Sequence, residues 1–221
     1  MSLDLRSRLS NTMKSNNYRP LVWLLFFGSV WGINEIVTGK ALYEAHVPYS
    51  SVWLAAWGFL TLAVARGILN RPGYSSIIGG VAAMLRMVNA GSSVCHVLGI
   101  FLIGAAFDLA ATLLVDNKRN IYLRSSLAGV VGAYGAYALF AFMATYVFHQ
   151  EQWVRGGLPK VLDYVLIGGS LMALVSSVTV PLGYWIGRRG EIFVTHHSQW
   201  AYKGAAALTV IFWVLGGMAR Y

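Results

Sequence analysis

Apolar runs long enough to cross a bilayer follow one another along nearly the whole chain, separated only by short polar links. A hydrocarbon core of about 30 Å needs about 20 apolar residues wound as a helix. Runs of that kind extend from Leu21 to Thr38, Ser51 to Leu69, Ser125 to Phe148 and Val161 to Ile186, with a shorter one from Ala205 to Met218. Between the second and third of these lies a hairpin, Ser75 to Val115, of two further apolar arms. The spacing predicts an all-α, polytopic transmembrane helix bundle of six to seven helices. Only 11% of the 221 residues are charged and 57% are hydrophobic, against about 25% charged in a soluble domain. No stretch is left for a separate soluble domain. Met1 to Pro20 reads as a basic cytoplasmic leader, and residues 21–221 as one transmembrane helical domain.

The hairpin is the least ordinary part. Its first arm, Ser75 to Val88, reaches only about 21 Å at 1.5 Å per residue, short of a bilayer core. It then breaks at Asn89-Ala90-Gly91-Ser92-Ser93 and returns as helix 4. A short helix 3 broken from helix 4 leaves backbone groups that lipid cannot satisfy. Such backbone persists at membrane depth only where protein or a watery cavity surrounds it, so the hairpin reads as the wall of a site.

Charge fixes the orientation. With the N-terminus inside, twelve of the 17 Lys and Arg residues fall in inner segments, among them Arg66, Arg71, Lys118, Arg119, Arg188 and Arg189. The remaining five, including Lys40 and Arg86, fall outside. This positive-inside bias implies that the N-terminus lies inside, and the expected location is a bacterial cytoplasmic (inner) membrane. The bias also accounts for the net charge of +9 without nucleic acid as a partner. Trp23 and Trp31 suit the aromatic belts at the membrane interfaces.

On that topology the ionisable residues form two layers. The outer one holds Glu35, Arg86, His96 and Asp163, joined by the loop residues Lys40, His46, Asn89 and Trp153. A charge inside a span costs several kcal/mol or more unless paired or hydrated. Glu35 with Arg86 is the expected pair, either as a structural staple or as part of a solute site in which Arg86 clamps an anion. The inner layer holds Arg66 and Asp108, which helix rise places at similar depth, as a structural pair or a contact to a partner. Small residues four apart, led by Gly28-x-x-x-Gly32, permit close helix approach, inside the bundle or against a partner subunit. The lone Cys95 excludes an internal disulfide and a cysteine metal site. No phosphate-cradling loop, nucleophile elbow or zinc-binding helix motif is present. The sequence therefore points to no enzyme, no metal and no cofactor.

The Trp31-Gly32-x-x-Glu35 end of helix 1, the Arg71-Pro72-Gly73-Tyr74 turn, the glycine-bearing short helix 3 and the break into helix 4 resemble the substrate-binding S components of energy-coupling factor transporters. The likeness runs from about Leu21 to Ile186. It implies a six-helix bundle that binds a vitamin or precursor from outside and works with a transmembrane coupling protein and two ATPases. It implies ligand contacts from Lys40 to Tyr49, at His96, from His149 to Arg155 and at Asp163. Gly28 and Gly32 would stand on the coupling face. Two departures are a seventh helix and glycines where that face usually carries alanines. The leading expectation is thus a substrate-binding subunit for a small, anionic or zwitterionic solute. The alternative is a non-catalytic subunit that anchors or scaffolds a larger membrane complex.

Overall fold

The turn Asn70-Arg71-Pro72-Gly73 illustrates how this sequence is cut into helices. Asn70 takes a left-handed conformation (φ 37°, ψ 50°) and its N–H bonds back to the Arg66 carbonyl at 2.9 Å. Pro72 has no N–H to continue the ladder, and Gly73 sits at φ 85°, where a side chain would be strained. A new helix then starts at Tyr74. The computed structural model describes residues 19–88, 94–115, 120–196 and 198–218, without the side chains of residues 19, 193, 195, 196 and 198.

The helices are α1 (Arg19–Glu44), α2 (Ser50–Leu69), α3 (Tyr74–Val88), α4 (Val94–Leu114), α5 (Ile121–Phe142), α6 (Glu151–Asp163), α7 (Gly169–His196) and α8 (Ser198–Met218). A π turn, Met143–Val147, extends α5, and a second, Tyr164–Gly168, joins α6 to α7. Among the described residues six helical spans are long and apolar enough to cross a membrane, and Tyr74–Val88 is a shorter apolar helix. The fold is the membrane-spanning helical bundle expected, with helix 3 short. Its 15 residues reach about 22 Å.

Several boundaries differ from expectation. The segment read as a loop from Gly39 is helical as far as Glu44, so Lys40 and Glu44 stand one turn apart on α1 and pair at 3.7 Å. The sixth span begins earlier, because the polar stretch Glu151–Asp163 forms a helix that runs into the apolar one. That stretch contains a kink at Gly157 (φ 56°, ψ −153°) before Pro159.

Six helices close a ring in the order α1, α3, α4, α5, α7, α2, and α8 lies outside it against α1. The middle is filled by Trp31, Phe59, Leu62, Ile78, Phe107 and Met172, all essentially inaccessible. Phe59 and Phe107 meet edge to face, with ring centroids 5.4 Å apart. Trp31 is therefore a core residue, not an interfacial one. Its ring lies over Gly58, whose missing side chain would stand 2.6 Å from it.

Glycines set the closest approaches. A side chain at Gly28 would meet Val81 Cβ at 2.5 Å, and one at Gly32 would meet Leu85 Cβ at 3.0 Å. The Gly28-x-x-x-Gly32 face is thus occupied by α3. Elsewhere in the ring, Gly187 of α7 packs onto the Val64 carbonyl and Gly67 of α2, the small-residue geometry that lets helices associate in lipid.

Candidate functional site

At the end of the bundle where α1 finishes and α2 and α4 begin, a cavity of about 290 Å³ opens between α1, α2, α4, α5 and the α6–α7 junction. That is close to the lower end for small-molecule pockets, about 300 Å³. Its polar lining is sparse: Glu35 from α1, Ser50 and Ser51 from the start of α2, and His96 from the first turn of α4. Glu35 is 4% exposed. Its carboxylate accepts a hydrogen bond from the Trp31 indole N–H one turn earlier, at 3.0 Å. This pins its Oε1 on the inner side of α1, as a buried carboxylate requires.

The opposite wall is aromatic. Tyr137 and Phe140 are three apart on α5 and so share a face. Tyr164 stacks on Tyr137 with centroids 4.7 Å apart and a 25° interplanar angle. Trp153 stands edge-on to Tyr164 at 5.0 Å and to Phe140 at 5.5 Å. The Lys160 ammonium lies over the Trp153 ring at 5.3 Å and donates to the Gln152 carbonyl, which steadies the ring from outside. The Tyr137 hydroxyl is buried in the wall with no well-formed hydrogen bond, although Ser51 stands close by. Buried polar atoms without partners are rare in folded proteins. This one borders a space that a ligand could fill.

Of the residues expected from the sequence to bind solute, the structure brings Glu35, His96 and Trp153 together in this cavity. Arg86, in the last turn of α3, acts electrostatically on both Glu35 and His96. It does not line the cavity, and among the described residues it makes no direct ion pair with Glu35. The reason is positional, since α3 lies behind α1 and α4 and contributes nothing to the cavity wall. Lys40, near the end of α1, and His46, just beyond it, are exposed, His46 against the Glu44 carbonyl at 3.0 Å. Asp163 is exposed at the end of α6. Asn89 lies outside the described residues.

The residues missed in the sequence are Ser50, Ser51, Tyr137, Phe140, Tyr164 and Cys95, all of which line the cavity. The Tyr137-x-x-Phe140 spacing was an available signal, but it reads equally as ordinary core packing.

At the other end of the bundle, Arg66 and Asp108 meet at 3.0 Å, with side chains 5% and 6% exposed. Asp108 also accepts from the Gly73 and Ser76 backbone N–H groups at 3.1 and 3.0 Å and from the Ser76 hydroxyl at 3.0 Å. The same carboxylate thereby ties α2 and the start of α3 to α4. Arg66 donates in addition to Thr112 Oγ1 at 3.0 Å and to the Arg71 carbonyl. The Asp108 carboxylate and the terminal nitrogens of Arg66 are engaged within the chain, and Gly28 and Gly32 are covered by α3.

Comparison of the chain with protein-family models, with curated proteins and with solved structures finds no match.

Proposed function

We propose that this chain is the substrate-binding subunit of a small-molecule uptake system in a bacterial inner membrane. The reading rests on one observation: an aromatic-walled cavity of about 290 Å³ that holds a buried carboxylate and a buried tyrosine hydroxyl approached only loosely by Ser51. Three rings, Phe140, Trp153 and Tyr164, present faces and edges to a flat ligand, the arrangement in which aromatic groups attract one another. Glu35 accepts, and Tyr137 donates or accepts, a hydrogen bond at the polar end of that ligand. Among the described residues no Lys or Arg lines the cavity. The solute it favours is therefore a small ring-bearing molecule with a hydrogen-bond-donating end, neutral or cationic, and not the anion that an Arg86 clamp would select.

The positive-inside bias supports an N-terminus on the cytoplasmic side, which turns the cavity end of the bundle outward. The six-helix ring agrees with the resemblance to energy-coupling factor S components, and α8 is the addition. Energy would come from partner subunits, a membrane coupling protein and ATPases, because this sequence has no nucleotide-binding motif of its own. A scaffold subunit would turn its small-residue faces outward, whereas Gly28 and Gly32 are buried against α3.

The test is thermal unfolding of the detergent-purified chain against a panel of ring-bearing metabolites of differing charge. A ligand present at a hundred times its Kd stabilises by about 2.7 kcal/mol, a readily measured shift. Tyr164→Ala and Glu35→Gln should each abolish or sharply reduce the shift. If no panel member stabilises the protein, or if stabilisation is indifferent to Tyr164→Ala, the cavity is not a solute site.

A further inference from the structure

A second, smaller cavity of about 70 Å³ lies at the opposite end of the bundle, between the end of α2, the start of α5 and the latter part of α7. It is bordered by Arg66, Asn70, Ile121, Tyr184, Arg188 and Glu191. Unlike the aromatic cavity it is walled by donors. Arg66 Nε and the Tyr184 hydroxyl are both buried without a hydrogen-bond partner, in residues 6% and 2% exposed. The two groups lie close enough to interact, at best through a loose hydrogen bond with each other. Asp108, Thr112 and the Arg71 carbonyl engage both terminal nitrogens of Arg66, and its Nε is the nitrogen without a well-formed bond. Ile121 is the first residue of α5, a helix of 22 residues whose Asn120 cap supplies no side-chain hydrogen bond. The cavity therefore lies beside a helix N-terminus, which favours negative charge. Arg188 adds a second guanidinium at the rim. Glu191 is the single carboxylate there, and it is itself engaged in an interaction of its own.

Two buried donors without a well-formed partner (Arg66 Nε and the Tyr184 hydroxyl), the Arg188 guanidinium and a helix N-terminus around one polar space favour an acceptor-rich occupant. We propose that this cavity binds a phosphate-type oxyanion, as a free ion or as a phospholipid headgroup. The volume suits it: 70 Å³ is about that of two waters at about 30 Å³ each, enough for one tetrahedral group. The oxyanion accepts from Arg66 Nε, the Tyr184 hydroxyl and Arg188, which are charge-assisted bonds in two cases of three. Arg189, whose guanidinium lies 4.1 Å from the Trp185 ring centroid, borders the same end of α7 and adds to its positive charge. The site is separate from the solute cavity and stands whether or not that cavity binds a metabolite.

The test uses the full chain, delipidated in neutral detergent, with inorganic phosphate in one arm and phosphatidylglycerol in the other. Diacylglycerol, which lacks the phosphate, is the control, and occupancy is read by native mass spectrometry and thermal shift. Arg188→Gln, at an exposed position, should weaken binding by about tenfold or more, and Tyr184→Phe by about fivefold, as loss of a charged and a neutral hydrogen bond would. Binding of phosphate itself assigns the site to a free ion, and binding of phosphatidylglycerol alone assigns it to a headgroup. Either result, weakened by Arg188→Gln, supports the proposal. Binding of neither, or binding that both variants leave unchanged, overturns it and leaves a cavity that holds water only.

Discussion

Replacing Asp108 by Asn is the sharpest test of how this bundle is held together. The substitution preserves shape but removes the charge that faces Arg66 at 3.0 Å, with both side chains at least 94% buried. Ordinary interhelical hydrogen bonds in membrane proteins contribute only about 0.6 kcal/mol in double-mutant cycles, because the unfolded chain in lipid also finds partners. Asp108 differs in two respects. Its loss strands a buried guanidinium, and breaking a buried ion pair from one side costs about 3–5 kcal/mol. Its two oxygens also accept from two backbone N–H groups, and an Asn amide nitrogen placed at either would set donor against donor. Asp108→Asn should therefore destabilise by about 3–5 kcal/mol, measured by SDS titration in mixed micelles with tryptophan fluorescence as the readout. Arg66→Met in the same chain should recover part of that loss, with a coupling of about 2 kcal/mol, within the range for residues in one network. A cost near 0.6 kcal/mol, or single-variant costs that simply add, would show that the pair is no more than one interhelical bond among many.

Further outcomes follow from other contacts. Gly187→Ala would place a methyl 2.4 Å from the Val64 carbonyl oxygen and should destabilise by about 1–3 kcal/mol, whereas Gly80→Ala, with nothing within 4 Å, should be neutral or slightly stabilising in the same assay. Trp213→Phe removes the indole donor to Ser29 Oγ at 3.0 Å and should loosen α8 from α1 by about 1 kcal/mol, seen as faster hydrogen exchange confined to α8. Gly157→Ala forces a side chain into φ 56°, ψ −153° and should cost about 1–3 kcal/mol, read as a lowered midpoint of thermal unfolding. Cys95, the single cysteine, lines the aromatic cavity, so a solute that binds there should slow its labelling by a small maleimide.

The bundle was legible because its signal is one of length. Six apolar runs and a short hairpin arm admit few arrangements in lipid, and Arg66 and Asp108 could be paired from depth alone. The aromatic-walled cavity was legible only in part. Depth brought Glu35, Arg86 and His96 to one level, but rotation about each helix axis, about 100° per residue, decides which side chains share a space. Arg86 sits on a helix that the cavity does not touch. Lys40 follows Glu35 by five residues, which turns it well off the inner face of α1. The aromatic wall escaped notice because Tyr137, Phe140 and Tyr164 look, in an apolar helix, like any other filling. Their distinction is that the space beside them is empty.

Helix α8 changes the status of α1. Among the helices it leans mainly on α1, with smaller contacts to α3 and α7, tied by Trp213 to Ser29 and by Gly216 seated against Leu85 of α3 and Ile36 of α1. With α2 and α3 on its other flanks, α1 is shielded on three sides from any neighbouring protein. An assembly that reached this chain through α1 would therefore have to hold α8 instead, whose window is only 11% buried, or first peel it away. Cutting the chain before Ser198 would distinguish the two: a gripped handle loses its assembly, and a removable cover gains one.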